Sequence, residues 1–225
     1  MDPKFRSKLE KSRGKELYGY QQTAIDNILE KFNDNNDSFN LLFQLPTGGG
    51  KTVIFSELTK RYILAKGKKV LILTHRIELL GQTSKMLSEI GVTNKVINAK
   101  VKDLDDGEDH WCYVAMVETL NNRINEEAME FDDLGLIIVD EAHYNSFRKL
   151  FKHFEGQSLL GVTATPLSSN IKLPLHDNYQ ELIVGESISS LVDQKYLSRA
   201  HTYNYDVNLK ALKVGINGDY TVSSS

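Results

Sequence analysis

Apolar side chains recur along this chain in two alternating patterns. Several long segments carry them every three to four residues, which predicts helices with one buried face. Short runs that are apolar throughout stand between those segments, which predicts strands buried on both faces of a sheet. The predicted helices cover about 21–32, 51–66, 76–90, 117–128 and 147–154, and the predicted strands cover 41–45, 69–74, 112–116, 135–139 and 159–163.

This alternation of strands and helices indicates the fold class. Parallel neighbouring strands need a crossover connection, and an amphipathic helix after each short apolar strand supplies one. We therefore predict an α/β fold with a mostly parallel central sheet and helices on both faces. The acidic segment 101–109 lacks the residue spacing of a calcium loop and is predicted to be a solvated loop.

Composition narrows the class of protein. The 225 residues are 40% hydrophobic and 25% charged, which is typical of a globular chain and excludes a disordered protein or a coiled coil. The single cysteine, Cys112, cannot form an internal disulfide, so we expect a reducing, cytoplasmic setting. The longest apolar runs are far shorter than the roughly 20 residues of a membrane helix, so we expect no membrane contact.

Charge is distributed unevenly along the chain. Residues 1–16 hold six basic and three acidic side chains, which gives them +3 and leaves −6 for the rest of a chain whose overall charge is −3. An acidic body has no broad positive field, so any binding of nucleic acid must use a local groove. The basic N-terminal arm, residues 1–16, could contact phosphates, but a frayed, solvated terminus is the favoured interpretation.

The strongest chemical signal is LPTGGGKT at 45–52, between the predicted strand 41–45 and the next helix. Its glycines allow backbone N–H groups to surround phosphate oxygens at a helix N-terminus. A lysine at this position reaches the β- and γ-phosphates of a nucleotide, and the hydroxyl beside it binds Mg²⁺. The segment is a variant phosphate loop, because Leu45 stands where the general pattern has glycine. The predicted phosphate-binding residues are Thr47, Gly48, Gly49, Gly50, Lys51 and Thr52.

Two acidic residues follow the predicted strand 135–139. Asp140 and Glu141 stand at the carboxyl end of that strand, where open α/β sheets bind their ligands. Asp140 suits the binding of Mg²⁺, and Glu141 is placed to orient or deprotonate an attacking water. The predicted catalytic residues are therefore Lys51, Asp140 and Glu141.

The order of three segments, LPTGGGKT, VDEAH at 139–143 and GVTATP at 161–166, resembles superfamily 2 helicases and translocases with a DEAH sequence in motif II. The resemblance covers almost the whole chain. It implies a RecA-like P-loop NTPase domain that uses ATP and Mg²⁺ to move along or unwind nucleic acid. The branch that it resembles most includes DNA-repair helicases, phage helicases and the motor subunits of restriction enzymes.

The same resemblance implies roles for individual positions. The segment LYGYQQTAI at 17–25 is similar to the adenine-binding element of these motors, in which Gln21 would read the adenine edge. Tyr18 or Tyr20 would then pack near the base. The residues implied to couple nucleotide state to nucleic-acid contact are His143, Thr163 and Thr165.

Two further segments, 71–83 and 116–123, resemble motifs Ia and Ib, which contact the nucleic-acid backbone in relatives. Such contacts position a strand but carry no sequence information. The implied contact residues are Thr74, His75, Arg76, Thr119 and Arg123.

The chain departs from the family pattern in two respects. Residues 167–170 stand where the family has an Arg and an Asp-Gly turn, and these 225 residues contain no counterpart of the family's second motor domain with its arginine finger. We therefore expect motor domain 1 at 17–206, with a strand-like segment at 201–207 near its end. Residues 207–225 are expected to begin a linker toward a second RecA-like domain. An arginine finger is worth roughly 10³–10⁵ in rate, so slow hydrolysis by this chain alone is expected.

Three other functions fit part of the pattern. An RNA helicase remains open because backbone contacts do not read the 2′-OH, although DNA is the favoured partner. A nucleic-acid-binding module with a vestigial ATPase is opposed by the intact Lys51, Thr52, Asp140 and Glu141. A P-loop ATPase that moves no nucleic acid is opposed by the matches to motifs Ia, Ib and III.

Overall fold

A parallel sheet of seven strands forms the centre of the computed structural model, which describes residues 1–12, 14, 16–35, 38–101, 104, 109–126, 131–154, 156–203, 213–214 and 220–221. Its strands are β1 (Asn40–Gln44), β2 (Lys69–Thr74), β3 (Asn94–Ile97), β4 (Cys112–Met116), β5 (Leu134–Asp140), β6 (Ser158–Thr163) and β7 (Glu181–Val184). Two short strands, β8 (Lys213–Val214) and β9 (Tyr220–Thr221), pair antiparallel with each other. The helices are α1 (Pro3–Lys11), α2 (Gly19–Asp34), α3 (Lys51–Lys66), α4 (Ile77–Glu89), α5 (Val117–Asn125), α6 (Arg148–Phe151) and α7 (Ile188–Asp193).

The strand order brings the predicted motifs to one edge of the sheet. The order is β3-β4-β2-β5-β6-β1-β7, so β6 lies between the strand that precedes the phosphate loop and the strand that precedes the acidic pair. Gln44 of β1 is level with Thr163 of β6, and Val162 is level with Asp140 of β5. Because all these strands run parallel, their carboxyl ends meet at one edge, and the predicted α/β fold is confirmed.

Alternate residues of each central strand face opposite sides of the sheet, as the period of a strand requires. On one face, Phe43, Ile72 and Ile138 belong to a buried cluster that also contains the apolar residues of α2 and α3. On the other face, Leu71 and Val139 belong to a cluster that also contains apolar residues of α5 and α6. Helices on both faces therefore explain why these strands are apolar throughout.

The N-terminal segment differs from its predicted state. Residues Pro3–Lys11 form α1, in which Leu9 is fully buried and the ring of Phe5 stacks on Trp111 with 5.6 Å between centroids. The Ser12 hydroxyl donates to the carbonyl of Ile90 at 2.5 Å, which fastens the end of the helix. The prediction of a frayed, solvated terminus is wrong for these residues, because apolar side chains four positions apart give the charged segment one apolar face. Arg13 and Lys15 lie outside the described residues.

Other boundaries were predicted with mixed success. Helix α3 spans the predicted 51–66, whereas α5 ends at Asn125, and 127–130 lie outside the described residues. The predicted helix 147–154 is helical only at Arg148–Phe151, after a 3₁₀ turn over Asn145–Phe147. Residues 201–203 have no regular structure, so the predicted strand is absent there, and 204–207 are not described. The elements that the pattern did not predict are α1, β3, β7, α7, β8 and β9.

Three further expectations concern the cysteine, the acidic segment and the absence of membrane helices. Cys112 is fully buried in β4, and that burial raises the pKa of its thiol well above the usual range. Of the acidic segment 101–109, only residues 101, 104 and 109 are described. Among the helices of the described residues, none combines the length and the apolar character needed to cross a membrane.

Candidate active site

The phosphate loop joins β1 to α3 in a conformation that depends on glycine. Gly48 and Gly50 have φ angles of +84° and +82°, in the left-handed region that other residues rarely adopt. A Cβ atom on Gly49 would lie 2.8 Å from the Leu45 side chain, and the Gly49 amide donates to the Pro46 carbonyl at 3.1 Å. The chain therefore folds tightly over the N-terminus of α3, which is the geometry that binds phosphate.

A cavity of about 340 Å³ brings this loop together with the acidic pair. The Lys51 ammonium lies on the loop side, where its nitrogen is 3.5 Å from the Leu45 carbonyl oxygen. The cavity thus joins residues that are separated by about 90 positions in the sequence. Its lining residues are Gly48, Gly50, Lys51, Thr52, Val53, Arg76, Leu79, Asp140 and Glu141.

Asp140 is the most deeply buried acidic group in this cavity's lining, with 6% of its surface exposed. Burial raises the pKa of Asp140 to about 6, and the nearby Glu141 charge is the second cause of this rise. The charges of Lys51 and Arg76 and a hydrogen bond from the Glu141 amide, 3.0 Å from Asp140 Oδ1, oppose this rise. A buried carboxylate at a cavity wall is stabilised in its ionised form by a bound cation.

The backbone at Glu141 has a φ angle of +54°, which is uncommon for a residue with a side chain. This turn directs the chain away from β5 immediately after the buried Asp140. Strain of this kind is concentrated at functional sites, where surrounding structure holds it. The position of Glu141 at the cavity is therefore fixed by an unusual backbone conformation.

The residues present fit Mg²⁺ that is carried by a nucleotide. Among the described residues, no group of three or more His, Cys, Asp or Glu side chains is arranged to hold a metal. Mg²⁺ in nucleotide sites takes only one or two carboxylates and completes its shell with phosphate and water oxygens. The side chains that could hold it here are Thr52 and Asp140, which line the same cavity.

A hydrogen-bonded network links the acidic loop to the end of β6. His143 Nδ1 lies 3.0 Å from the Thr163 hydroxyl and 3.4 Å from Glu141 Oε2. The Thr163 hydroxyl also donates to the Thr165 carbonyl and accepts from the Thr165 amide, at 3.0 Å and 3.1 Å. The structure thus brings together the three residues predicted to couple nucleotide state to nucleic-acid contact.

Gln21 has a different environment from the one that an open adenine pocket would give. Its side chain is 4% exposed, and its Oε1 atom accepts a hydrogen bond from the Tyr18 amide at 3.0 Å. Its Nε2 atom is packed so closely on the phosphate loop that a Cβ atom on Gly50 would lie 2.5 Å away. In this structure the amide of Gln21 therefore contacts protein groups at both ends.

Tyr18 and Tyr20, from the same segment as Gln21, form a cluster with a third tyrosine that the sequence did not indicate. The Tyr20 hydroxyl donates to the Gly49 carbonyl at 2.8 Å, so this ring is anchored to the phosphate loop. The ring of Tyr196, just after α7, lies 4.5 Å from that of Tyr18 and 5.1 Å from that of Tyr20. Nothing in the local sequence around Tyr196 indicated this contact, which arises from the packing of α7.

A second cavity, of about 510 Å³, lies beside Tyr20 on the side of β7. It was missed because β7 is a short strand at the edge of the sheet and gave no clear pattern. Polar side chains from α2 and from the segments around α7 line it together with apolar ones. These polar residues are Tyr20, Thr23, Asn27, Glu186, Ser187, Gln194 and Tyr196.

The residues predicted to contact nucleic acid follow two neighbouring strands, since Thr74 at the end of β2 is level with Met116 at the end of β4. Thr74 is 1% exposed, so its side chain does not lie at the surface, and the His75 ring packs 4.1 Å from that of Tyr144. Burial, followed by the neighbouring Arg76 charge, lowers the pKa of His75. Arg76 is exposed and lines the cavity of the phosphate loop. The Arg123 guanidinium donates to the Ala99 carbonyl at 2.9 Å. Thr119 is half-buried on α5.

Comparison with known proteins places this arrangement in a family. A family model named ResIII, described as the res subunit of type III restriction enzymes, matches residues 14–168. The chain belongs to this family. The ResIII match includes the phosphate loop, the acidic pair and the end of β6, so the sequence resemblance to superfamily 2 helicases is confirmed.

Individual relatives agree with the ResIII assignment. The putative ATP-dependent helicase IRC3 of Saccharomyces cerevisiae is 33% identical over 199 residues, which cover 82% of this chain and 28% of IRC3. The type ISP restriction-modification enzyme LlaGI, solved with a DNA substrate mimic, has a TM-score of 0.61 at 21% identity, covering 81% of this chain and 21% of LlaGI. The UvsW helicase of bacteriophage T4 has a TM-score of 0.60 at 19% identity, covering 80% of this chain and 66% of UvsW. The fold is therefore RecA-like, and the chain spans less than a third of the length of IRC3.

Proposed function

We propose that this chain is the ATP-binding motor domain of a superfamily 2 DNA helicase or translocase, which hydrolyses ATP to move along or unwind DNA. The observation that carries this proposal is the single cavity that joins the phosphate loop to Asp140 and Glu141. The ResIII match includes the phosphate loop and the acidic pair that line this cavity, which supports an enzyme rather than a binding module with a vestigial ATPase.

Each wall of the cavity would have a distinct task in hydrolysis. The loop amides and Lys51 would bind the β- and γ-phosphates, while Thr52 and Asp140 would hold Mg²⁺. The bound ion would neutralise negative charge on the phosphates and help to orient the terminal one. Glu141 would orient the attacking water and accept its proton, since its carboxylate lies at the same cavity.

The base of the nucleotide would lie near Tyr20, where the second cavity begins. Gln21 would read the adenine edge with an amide whose Oε1 atom already accepts the Tyr18 amide in this structure, since a carbonyl oxygen can accept two hydrogen bonds. The tyrosine hydroxyl anchored to Gly49 would connect the position of the base to the phosphate loop.

DNA is the proposed partner. Support comes from LlaGI, which was solved with a DNA substrate mimic and shares this fold, and from the restriction-enzyme family to which the chain belongs. His143, Thr163 and Thr165 would transmit nucleotide state through their hydrogen bonds. Thr119 and Arg123 of α5 do not line the nucleotide cavity and stay candidate strand contacts.

We further propose that a second RecA-like domain completes the machine. The proposed organisation is a motor domain at 17–206 that α1 packs against, with 207–225 leading toward the second domain. The small share of IRC3 that this chain spans supports it. An arginine finger from that domain would supply roughly 10³–10⁵ in rate.

The proposed function is tested by measuring strand binding and ATP hydrolysis with the 225-residue chain and its Lys51→Ala variant. We expect slow hydrolysis and single-stranded DNA binding that the variant retains, because Lys51 faces the nucleotide and not the strand. Rapid DNA-stimulated turnover by this chain alone would contradict the need for a second domain. Absence of strand binding in both forms would instead favour an ATPase that moves no nucleic acid, and tighter binding of RNA than of DNA would favour an RNA helicase.

A further inference from the structure

Arg76 stands where the chain leaves β2 and begins α4. Strand β2 pairs with β5 so that Leu73 is level with Val139, and the residues that follow each strand therefore meet at the same edge of the sheet. The Arg76 amide lies 3.4 Å from the Thr74 hydroxyl, at the position that precedes α4. This register places Arg76 beside the acidic pair, although 64 residues separate it from Asp140 in the sequence.

Arg76 is one of the residues that line the cavity of the phosphate loop. Within the described part of the chain, no carboxylate or carbonyl oxygen accepts a hydrogen bond from its guanidinium. Three other arginines differ in this respect, because Arg61 pairs with Glu57, Arg123 with Glu126 and Arg148 with Asp177. With respect to the described residues, the Arg76 guanidinium at the cavity is therefore available for an anion.

The lining of the cavity carries two cationic side chains beside its two carboxylates. Asp140 and Glu141 contribute two carboxylates to its lining, whereas Lys51 and Arg76 are the cationic side chains there. Lys51 belongs to α3 and Arg76 precedes α4, so the two cations reach the cavity from different elements. The terminal phosphate of a nucleoside triphosphate has three oxygens that suit the planar, forked donors of a guanidinium.

We propose that Arg76 binds the terminal phosphate of the nucleoside triphosphate, as a second cation beside Lys51, and does not bind a strand phosphate. This inference rests on the proposed function, because it assumes that the cavity holds a nucleotide. It makes Arg76 a residue that distinguishes a triphosphate from a diphosphate. It also connects the start of α4 to the presence of the terminal phosphate.

The test compares the dissociation constants of MgATP and MgADP for the unmodified chain and the Arg76→Ala and Arg76→Lys variants. A hydrogen bond between charged groups is worth about 1.5–3 kcal/mol, so Arg76→Ala should weaken MgATP binding roughly 10- to 100-fold. MgADP binding should change less than about twofold, and Arg76→Lys should fall between, since it keeps the charge but loses the fork. Lys85→Ala, an exposed position on the same helix, is the matched control and should change neither constant.

Two results would overturn the inference while leaving the proposed function intact. Unchanged MgATP binding in Arg76→Ala together with weaker single-stranded DNA binding would assign this residue to the strand. Equal weakening of MgATP and MgADP would exclude a contact specific to the terminal phosphate. By contrast, an unmodified chain that binds neither nucleotide would overturn the proposed function itself.

Discussion

His143 Nδ1 lies 3.0 Å from the hydroxyl of Thr163, so a side chain of the acidic loop contacts the buried end of β6. The two residues are 20 positions apart in the sequence and belong to the segments after β5 and at the end of β6. Because Thr163 also contacts the Thr165 backbone, one hydrogen-bonded network connects the acidic loop to the segment after β6.

A double-mutant cycle measures the coupling between these two residues. Thr163→Val leaves the Thr165 amide without its acceptor and should cost about 1–3 kcal/mol in the free energy of unfolding. Combined with His143→Ala, it should show a coupling of about 0.5–3 kcal/mol by urea denaturation. Thr59→Val, a buried threonine of α3, is the control and should be additive with His143→Ala. Additivity of the His143 and Thr163 changes would show that the contact carries no energy.

The stability of the nucleotide-free chain should depend on the ionisation of Asp140. The pKa of Asp140 is raised from 3.8 to about 6, so the folded state holds this proton more tightly than the unfolded state does. Its contribution to stability is therefore present at low pH and is lost as pH rises through about 6. Asp140→Asn avoids that loss because its side chain does not ionise. Its free energy of unfolding, relative to that of the unmodified chain, should therefore rise between about pH 4 and pH 6 to the order of 2 kcal/mol.

Thermal melts of Asp140→Asn across this pH range, without nucleotide or Mg²⁺, check the prediction. Asp193→Asn, at an exposed aspartate of α7, controls for the change in net charge. The raised pKa would be disproved if the difference in stability between Asp140→Asn and the unmodified chain stayed constant between about pH 4 and pH 8.

Two glycines at the ends of α3 form a matched pair for testing the phosphate loop. Gly50 and Gly67 have φ angles of +82° and +64°, so alanine should strain the backbone at both and cost about 1 kcal/mol. Only at position 50 would the new Cβ also meet another residue, since it would lie 2.5 Å from Gln21 Nε2. We expect Gly50→Ala to abolish binding of a fluorescent ATP analogue and Gly67→Ala to preserve it. Equal binding by both variants would show that the loop conformation is not required.

The role of α1 in the core is tested by Leu9→Ala. Leu9 is fully buried between the N-terminal helix and the main body, and loss of a buried leucine side chain costs about 2–5 kcal/mol. Leu167→Ala is the control, because Leu167 is 72% exposed and its removal should change stability by less than about 0.5 kcal/mol. If Leu9→Ala melted at the same temperature as the unmodified chain, the first eleven residues would not belong to the folded domain.

The sequence predicted the central sheet and the phosphate loop because their signals are local. Residues 134–139 of β5 are apolar throughout, and residues 48–52 have a spacing tied to one chemistry. The edge strand Glu181–Val184 was missed because only alternate residues are half-buried, which gives a weak pattern over four positions. Helix α1 was missed because exposed lysines obscured the apolar pair formed by Phe5 and Leu9.

The directions of individual side chains were the least predictable part of the site. Arg76 was predicted to contact a strand from its place in a motif, and the pairing of β2 with β5 also places it at the cavity of the phosphate loop. Gln21 was predicted to read a base, and in this structure its amide contacts Tyr18 and the phosphate loop. Both outcomes depend on neighbours that are distant in the sequence, which a local pattern does not contain.

Titration calorimetry of MgATP with the unmodified chain and with Lys51→Ala shows whether this cavity binds the nucleotide. We expect the unmodified chain to bind one MgATP, Lys51→Ala to lose this binding, and Lys66→Ala, an exposed position at the other end of α3, to retain it. MgATP binding of equal affinity in Lys51→Ala and in the unmodified chain would contradict the assignment of this cavity as the nucleotide site.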